Sequence, residues 1–142
     1  MSYPVRAMSL VLPFLFALIA FGQPDSKLPP IKALNDVKPK PSVFDAAGRG
    51  KPVTLRSAED AAKHFSEDEL AKLVKRVDFE QQIVLVFAWR GSGQDRLEHA
   101  VAESYPEQIF FTLKPGRTRD LRRHVKVFAL RANVKWSVKI GR

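Results

Sequence analysis

Seven consecutive residues, Ile83-Val-Leu-Val-Phe-Ala-Trp89, contain no polar side chain. A strand turns successive side chains to opposite faces, so a run of this kind is apolar on both faces and has to be covered on both. It suits a central strand covered on each side and is read as the core of the fold.

Upstream of the run the period is helical. Ser57-Ala-Glu-Asp60 and Ser66-Glu-Asp-Glu69 each set a hydroxyl at a helix start with an acid three residues on, which satisfies free N–H groups of the first turn. Ala61, Ala62 and Phe65 predict the apolar face of a first short helix, and Leu70, Leu73, Val74 and Val77 that of a second. Lys72, Lys75 and Arg76 suit the negative end of the second helix dipole. The acids of these segments are therefore helix caps before they are catalysts.

Downstream of the run the chain is extended. Gln108–Lys114 and Val125–Arg131 predict strands on either side of a Pro115-Gly116 turn. Leu97–Ser104 fits either period, and a strand is the economical reading next to its neighbours. Along the last segment Val134, Trp136, Val138 and Ile140 alternate with Lys135, Ser137 and Lys139, the pattern of a half-exposed strand whose lysines discourage edge pairing. The expected fold is α+β, with two short N-terminal helices followed by an antiparallel β-sheet of about four or five strands, in one domain over 53–142.

Composition supports a folded domain of this size. The 142 residues are 45% hydrophobic and include ten Phe, enough to bury a core, which excludes wholesale disorder and a collagen-like fibre. With no cysteine, disulfides and thiolate metal or redox sites are excluded as well.

Before the domain, two segments differ in character. Arg6 followed by the apolar stretch Leu10–Gly22, which ends in Ala20-Phe21-Gly22, reads as a signal peptide over 1–22 cleaved before Gln23. The competing reading is a membrane anchor, since 8–24 is free of charge, but Pro13, Gln23 and Pro24 favour removal. The expected location is periplasmic, cell-surface or secreted. Six prolines between Gln23 and Pro52, set among Lys, Asp and Ser, predict an extended stalk over 23–52. Lys38-Pro-Lys-Pro41 could serve as a proline-rich ligand, although such pairs are common in plain tethers.

The order of these elements carries a resemblance. Helices ending in Val77, then Asp78-Phe79, then Glu80-Gln81-Gln82 and the strand Ile83–Phe87 resemble the opening of the PrcB C-terminal domain family. Its members are mostly secreted bacterial proteins, and the similarity in order extends from about Ser57 to Ile140. Where that family carries Gly-Gly-Tyr after its first strand, this chain reads Arg90-Gly-Ser-Gly-Gln-Asp-Arg96, without the tyrosine. The resemblance implies a small α+β domain with no enzymatic residues to carry over.

Candidate sites come from charge. The chain carries a formal net charge of +9, and Lys114–Arg142 hold ten basic residues against the single acid Asp120. Arg117, Arg119, Arg122 and Arg123, expected in one loop, together with Lys135 and Lys139 on the last strand, predict a basic face. Such a face attracts an acidic protein surface, an anionic polysaccharide or lipid headgroups, and the expected compartment disfavours nucleic acid. The competing possibility is neutralisation by Glu67, Asp68 and Glu69.

A second candidate is the loop with Arg90, Gly91, Ser92, Gly93 and Arg96, whose backbone N–H groups could converge on an anion, or which could be a plain turn. It has neither Walker spacing nor the strand-to-helix setting of a nucleophile elbow. A hydrolase using Ser92 with His99 or His124 and Asp95 is the alternative function. His64, His99 and His124 are isolated in sequence and predict no metal site, and no cofactor motif is present. The expected function is thus non-catalytic: a binding or assembly module.

Overall fold

The structure, a computed structural model, describes residues 28–142. The expected signal and its cleavage point lie outside the described residues. The elements in chain order are β1 (Ile31–Ala33), α1 (Val43–Ala46), β2 (Val53–Leu55), α2 (Ala58–Ala62), α3 (Glu67–Arg76), β3 (Gln82–Gly91), β4 (Arg96–Ala102), β5 (Gln108–Lys114), β6 (Arg122–Arg131) and β7 (Lys135–Ile140).

The fold is mixed α+β, but the strands form two sheets instead of one. One sheet has the order β1-β6-β3-β2 and is antiparallel throughout; the other has the order β4-β5-β7, and β5 and β7 run parallel. Both the strand number and the all-antiparallel expectation are therefore corrected. The reason lies in the connections. β6 separates β5 from β7 in sequence but pairs with β3 over ten residues in the other sheet, so β7 returns beside β5 in the same direction.

The central run behaves as its composition demands. Ile83 to Trp89 are all buried, and the strand splits its side chains between two cores. Val84, Val86 and Ala88 pack with Val127 and Ala129 under the helical layer, against Ala61, Phe65, Leu73 and Val77. Ile83, Leu85, Phe87 and Trp89 pack with Phe128 and Leu130 against Ile109, Phe111 and Leu113 of the second sheet. Helices thus cover one face of the four-stranded sheet, and the three-stranded sheet covers the other. Phe87, Phe111 and Phe128 meet between the sheets with centroids 4.8 to 5.9 Å apart in tilted and edge-on geometry, the arrangement that ring quadrupoles favour.

Ser57 and Ser66 both cap as expected, each accepting a hydrogen bond from the backbone N–H three residues on. Of Leu97–Ser104 the part up to Ala102 is strand, and in β7 Trp136 and Val138 turn inward while Lys135, Ser137 and Lys139 turn outward, but Ile140, expected on the inner face, is 51% exposed at the strand end. Val74 does not join the helix face: it is 48% exposed, because α3 presents Leu70, Leu73 and Val77 to the sheet and carries Val74 past the edge of the contact.

The proline-rich segment is packed over its described part, not an extended stalk. β1 pairs with β6, Leu34, Val37 and Val43 are fully buried, and Lys40 N–H donates to His64 O. Prolines excluded a long helix here, but three apolar side chains at irregular spacing suffice to dock the chain on the helix-side core. Among the described residues there are accordingly three helices, with α1 inside the expected tether.

Candidate functional site: a cationic loop end

Two crossovers between the sheets, 92–95 from β3 to β4 and 115–121 from β5 to β6, leave from the same end of the sandwich. The register shows why they meet: Gly91 is paired with Arg122 in one sheet, and Arg96 with Lys114 in the other. This end collects Arg90, Arg96, Lys114, Arg117, Arg119, Arg122 and Arg123, all exposed.

The crossovers are stitched by two carboxylates. Asp95 is 7% exposed; it accepts from the Trp89 indole N–H at 3.1 Å and from Gly116 N–H at 2.7 Å, while its own N–H donates to Ser92 O. Asp120 accepts from Gly93 N–H at 3.1 Å and from Arg122 Nε at 3.0 Å. The Thr118 hydroxyl, then the Gly93 N–H and the Arg122 guanidinium, hold its carboxyl down at about 2. Ser92 Oγ accepts from the N–H groups of Gln94 and Thr118 and shares a short hydrogen bond with the Thr118 hydroxyl. Gly116 is required by close approach: a Cβ there would lie 2.6 Å from the Gln94 carbonyl carbon.

This geometry revises the loop as an anion site. Its converging N–H groups are present, but Gly93 gives its proton to Asp120, Gln94 to Ser92 Oγ, and Gly116 on the facing crossover to Asp95. The protein's own carboxylates occupy the place an external anion would take. The serine hydrolase alternative gains no support either. His124 Nε2 contacts the backbone O of Ser92 at 2.7 Å, not its hydroxyl, and so carries the proton, since a carbonyl only accepts. Its ring lies stacked on Trp89, 4.9 Å between centroids, and Asp95 is committed to Trp89 and Gly116. His99 sits on β4, edge-on to Phe128. No group of three metal-ligating side chains occurs among the described residues.

The six cations of the expected basic face do not share one face. Arg117 and Arg119 lie in the crossover, but Arg122 and Arg123 open β6 instead of lying in the loop, and they point to opposite sides of the sheet. Arg123 and Arg90, paired across β6 and β3, both lie over the Phe44 ring, at 5.5 and 5.7 Å. Lys135 and Lys139 are on the outer face of the second sheet. Lys135 is paired with Gln108, six strand residues, or about 20 Å, from the loop end. The reason is again β7, whose direction parallel to β5 sends its first lysine to the far end.

Neutralisation by the acids of α3 does not occur among the described residues. Glu69 pairs with Lys72 and accepts from the Lys38 N–H, which lowers its carboxyl below the usual range, and no tail arginine reaches Glu67, Asp68 or Glu69. At the loop end, Lys114 pairs with Glu98 and Arg122 with Asp120. Arg90, Arg96, Arg117, Arg119 and Arg123 have no ion-pair partner among the described residues. Arg96, Lys114 and Arg117 line a cleft of about 530 Å³ between the crossovers, floored by Asp95 and Gly116.

Sequence reasoning missed Arg90 and Arg96 as partners of the tail arginines, and counted Lys114 in the basic tail without placing it on the basic face. The sole signal was that both charged loops flank strands of similar length. Comparison with protein-family models, with curated proteins and with solved structures finds no match for this chain.

Proposed function

We propose that the protein is a non-catalytic binding module, exported after removal of its first 22 residues, whose cationic loop end holds an acidic partner. The observation that carries this reading is the set of five exposed arginines, Arg90, Arg96, Arg117, Arg119 and Arg123, without ion-pair partners among the described residues, on a junction already braced by Asp95 and Asp120. Because those two carboxylates satisfy the loop backbone, the arginines are not needed to hold it. A braced mount for guanidinium groups without ion-pair partners, two of them set over the Phe44 ring, favours directed recognition of carboxylate or sulfate groups over a diffuse attraction.

The test is binding of fluorescent polyglutamate and of heparin to the mature chain and to its Arg96→Gln, Arg117→Gln, Arg119→Gln triple variant. The wild type should bind at low salt and weaken as salt shortens the Debye length from about 30 Å at 0.01 M to about 10 Å at 0.1 M. The variant should lose about tenfold or more in affinity, while its stability stays within about 0.5 kcal/mol of wild type. Equal affinity of the two proteins for both polymers would overturn the reading. N-terminal sequencing of native protein, with Gln23 expected first, tests export.

A further inference from the structure

β6 is ten residues long, but β1 covers only one end of its outer edge. Leu34 N–H donates to Val127 O and Arg131 N–H to Pro30 O, so residues 127 and 131 direct their backbone groups outward. Direction alternates along a strand, and Val125 and Arg123 therefore point outward too. Among the described residues, neither has a backbone partner on that side. Beside this open stretch the chain from Leu34 to Pro39 bends away toward the helical layer and leaves a groove of about 550 Å³.

We propose that the open edge of β6, from Arg123 to Val127, takes an extended peptide of alternating apolar and acidic residues as an added strand. The inference rests on the binding reading above and names its partner. The two walls of the site differ in chemistry. On the helix side the half-buried Val125 faces the groove, over the buried Val127, Leu34 and Val37, with Lys38 on the groove rim and Arg123 toward the loop end; on the opposite side Lys126 and the Asp120-paired Arg122 stand exposed. A peptide strand in register with β6 sends alternate side chains to these two sides, apolar ones into the groove and acidic ones toward the cations. Backbone pairing supplies affinity and the alternation supplies selectivity, as in strand addition at other open sheet edges.

Charge also argues against the other occupant of an open edge, a second copy of the chain. Antiparallel self-pairing would bring Arg122, Arg123 and Lys126 of two molecules together, the arrangement by which natural edges resist association. The described residues just before β1, Leu28 to Pro30, lie at the other end of this edge. β1 runs antiparallel to β6, and Pro30 lies against Arg131, at the end remote from Arg123.

The experiment uses the mature chain and two ten-residue probes, one alternating Glu with Val and one alternating Glu with Pro. They match in charge, but in the antiparallel pairing that sends the non-Glu side chains to the helix side, the second peptide has proline at each residue whose N–H would bond to β6 and forms no ladder there. Binding is read by fluorescence anisotropy, and hydrogen exchange of the Arg123 and Val125 amides reads the edge directly. The Glu-Val peptide should bind about tenfold or more tightly than the Glu-Pro peptide and slow exchange of both amides. Val125→Pro, at an edge position that tolerates proline, should abolish the difference between probes. If that variant does not fold, the two probes and the wild-type exchange rates still decide the matter.

Equal affinity for both peptides with unchanged amide exchange would overturn the edge site and leave the cationic loop end standing. No binding of either peptide at low salt, together with failure of polyglutamate, would overturn both readings. Protection of the amides by concentration alone, without peptide, would replace the peptide with a second copy and overturn the proposal.

Discussion

Replacing Asp95 with Ala removes the brace on which both crossovers depend. The carboxylate accepts two hydrogen bonds, from the Trp89 indole at 3.1 Å and from Gly116 N–H at 2.7 Å, in a site only 7% exposed. Hydrogen bonds to a charged group contribute about 1.5–3 kcal/mol each, so the pair amounts to at least about 3 kcal/mol. For a domain of this size, with about 4 °C per kcal/mol, the melting temperature should fall by roughly 12 °C. Asp95→Asn keeps one acceptor oxygen but turns an NH₂ toward the second donor, so it should recover at most about half of the loss. Urea unfolding followed by tryptophan emission is a direct assay, because Trp89 is itself a partner. A double-mutant cycle with Trp89→Phe should show coupling of about 1.5 kcal/mol. If Asp95→Ala stays within about 0.5 kcal/mol of wild type, or the cycle is additive, the braced junction is refuted.

Three further perturbations probe other parts of the structure. Gly116→Ala forces a Cβ to within 2.6 Å of the Gln94 carbonyl carbon, where backbone must yield, and should destabilise by about 1–3 kcal/mol in thermal unfolding. Asp120 has its carboxyl lowered from 3.8 to about 2, so its contribution is fully present above pH 4 and is lost as pH falls from about 4 through 2. An acid titration of stability should flatten over that window in Asp120→Asn, and an unchanged profile would contradict the assignment. Leu85→Asp places a carboxylate between the two sheets at a fully buried position, a cost of several kcal/mol against a total of about 5–15 kcal/mol. Circular dichroism should show an unfolded chain, and cooperative melting near the wild-type midpoint would show that the strand is not central.

The parts of this fold that sequence reveals are those set by local physics. An uninterrupted apolar run marked β3, a serine with an acid three residues on marked the starts of α2 and α3, and alternation from Val134 to Ile140 marked β7. Which sheet β7 joins was not legible, because alternation reports that one face is buried and says nothing of the neighbour. The packing of Leu34, Val37 and Val43 was hidden for a related reason: apolar residues in irregular chain have no period, and the intervening prolines mimic a tether. At the candidate site the cationic residue types were visible, but the contacts that organise them join Gly93 to Asp120 and Asp95 to Gly116 across more than twenty residues. No spacing rule encodes such pairs. They exist because two crossovers happen to leave the sandwich at one end, and that emerges only once both sheets are known.

The most direct test of a cationic loop end mounted on a braced junction is amide-resolved NMR titration of the isotopically labelled mature chain with polyglutamate. Shifts should concentrate at Arg90–Arg96 and Lys114–Arg123, fade as salt is raised, and leave Lys135, at the far end of β7, and the acids of α3 unmoved. Shifts centred on Lys135 and Lys139, or none anywhere at low salt, would contradict a binding role for the loop end.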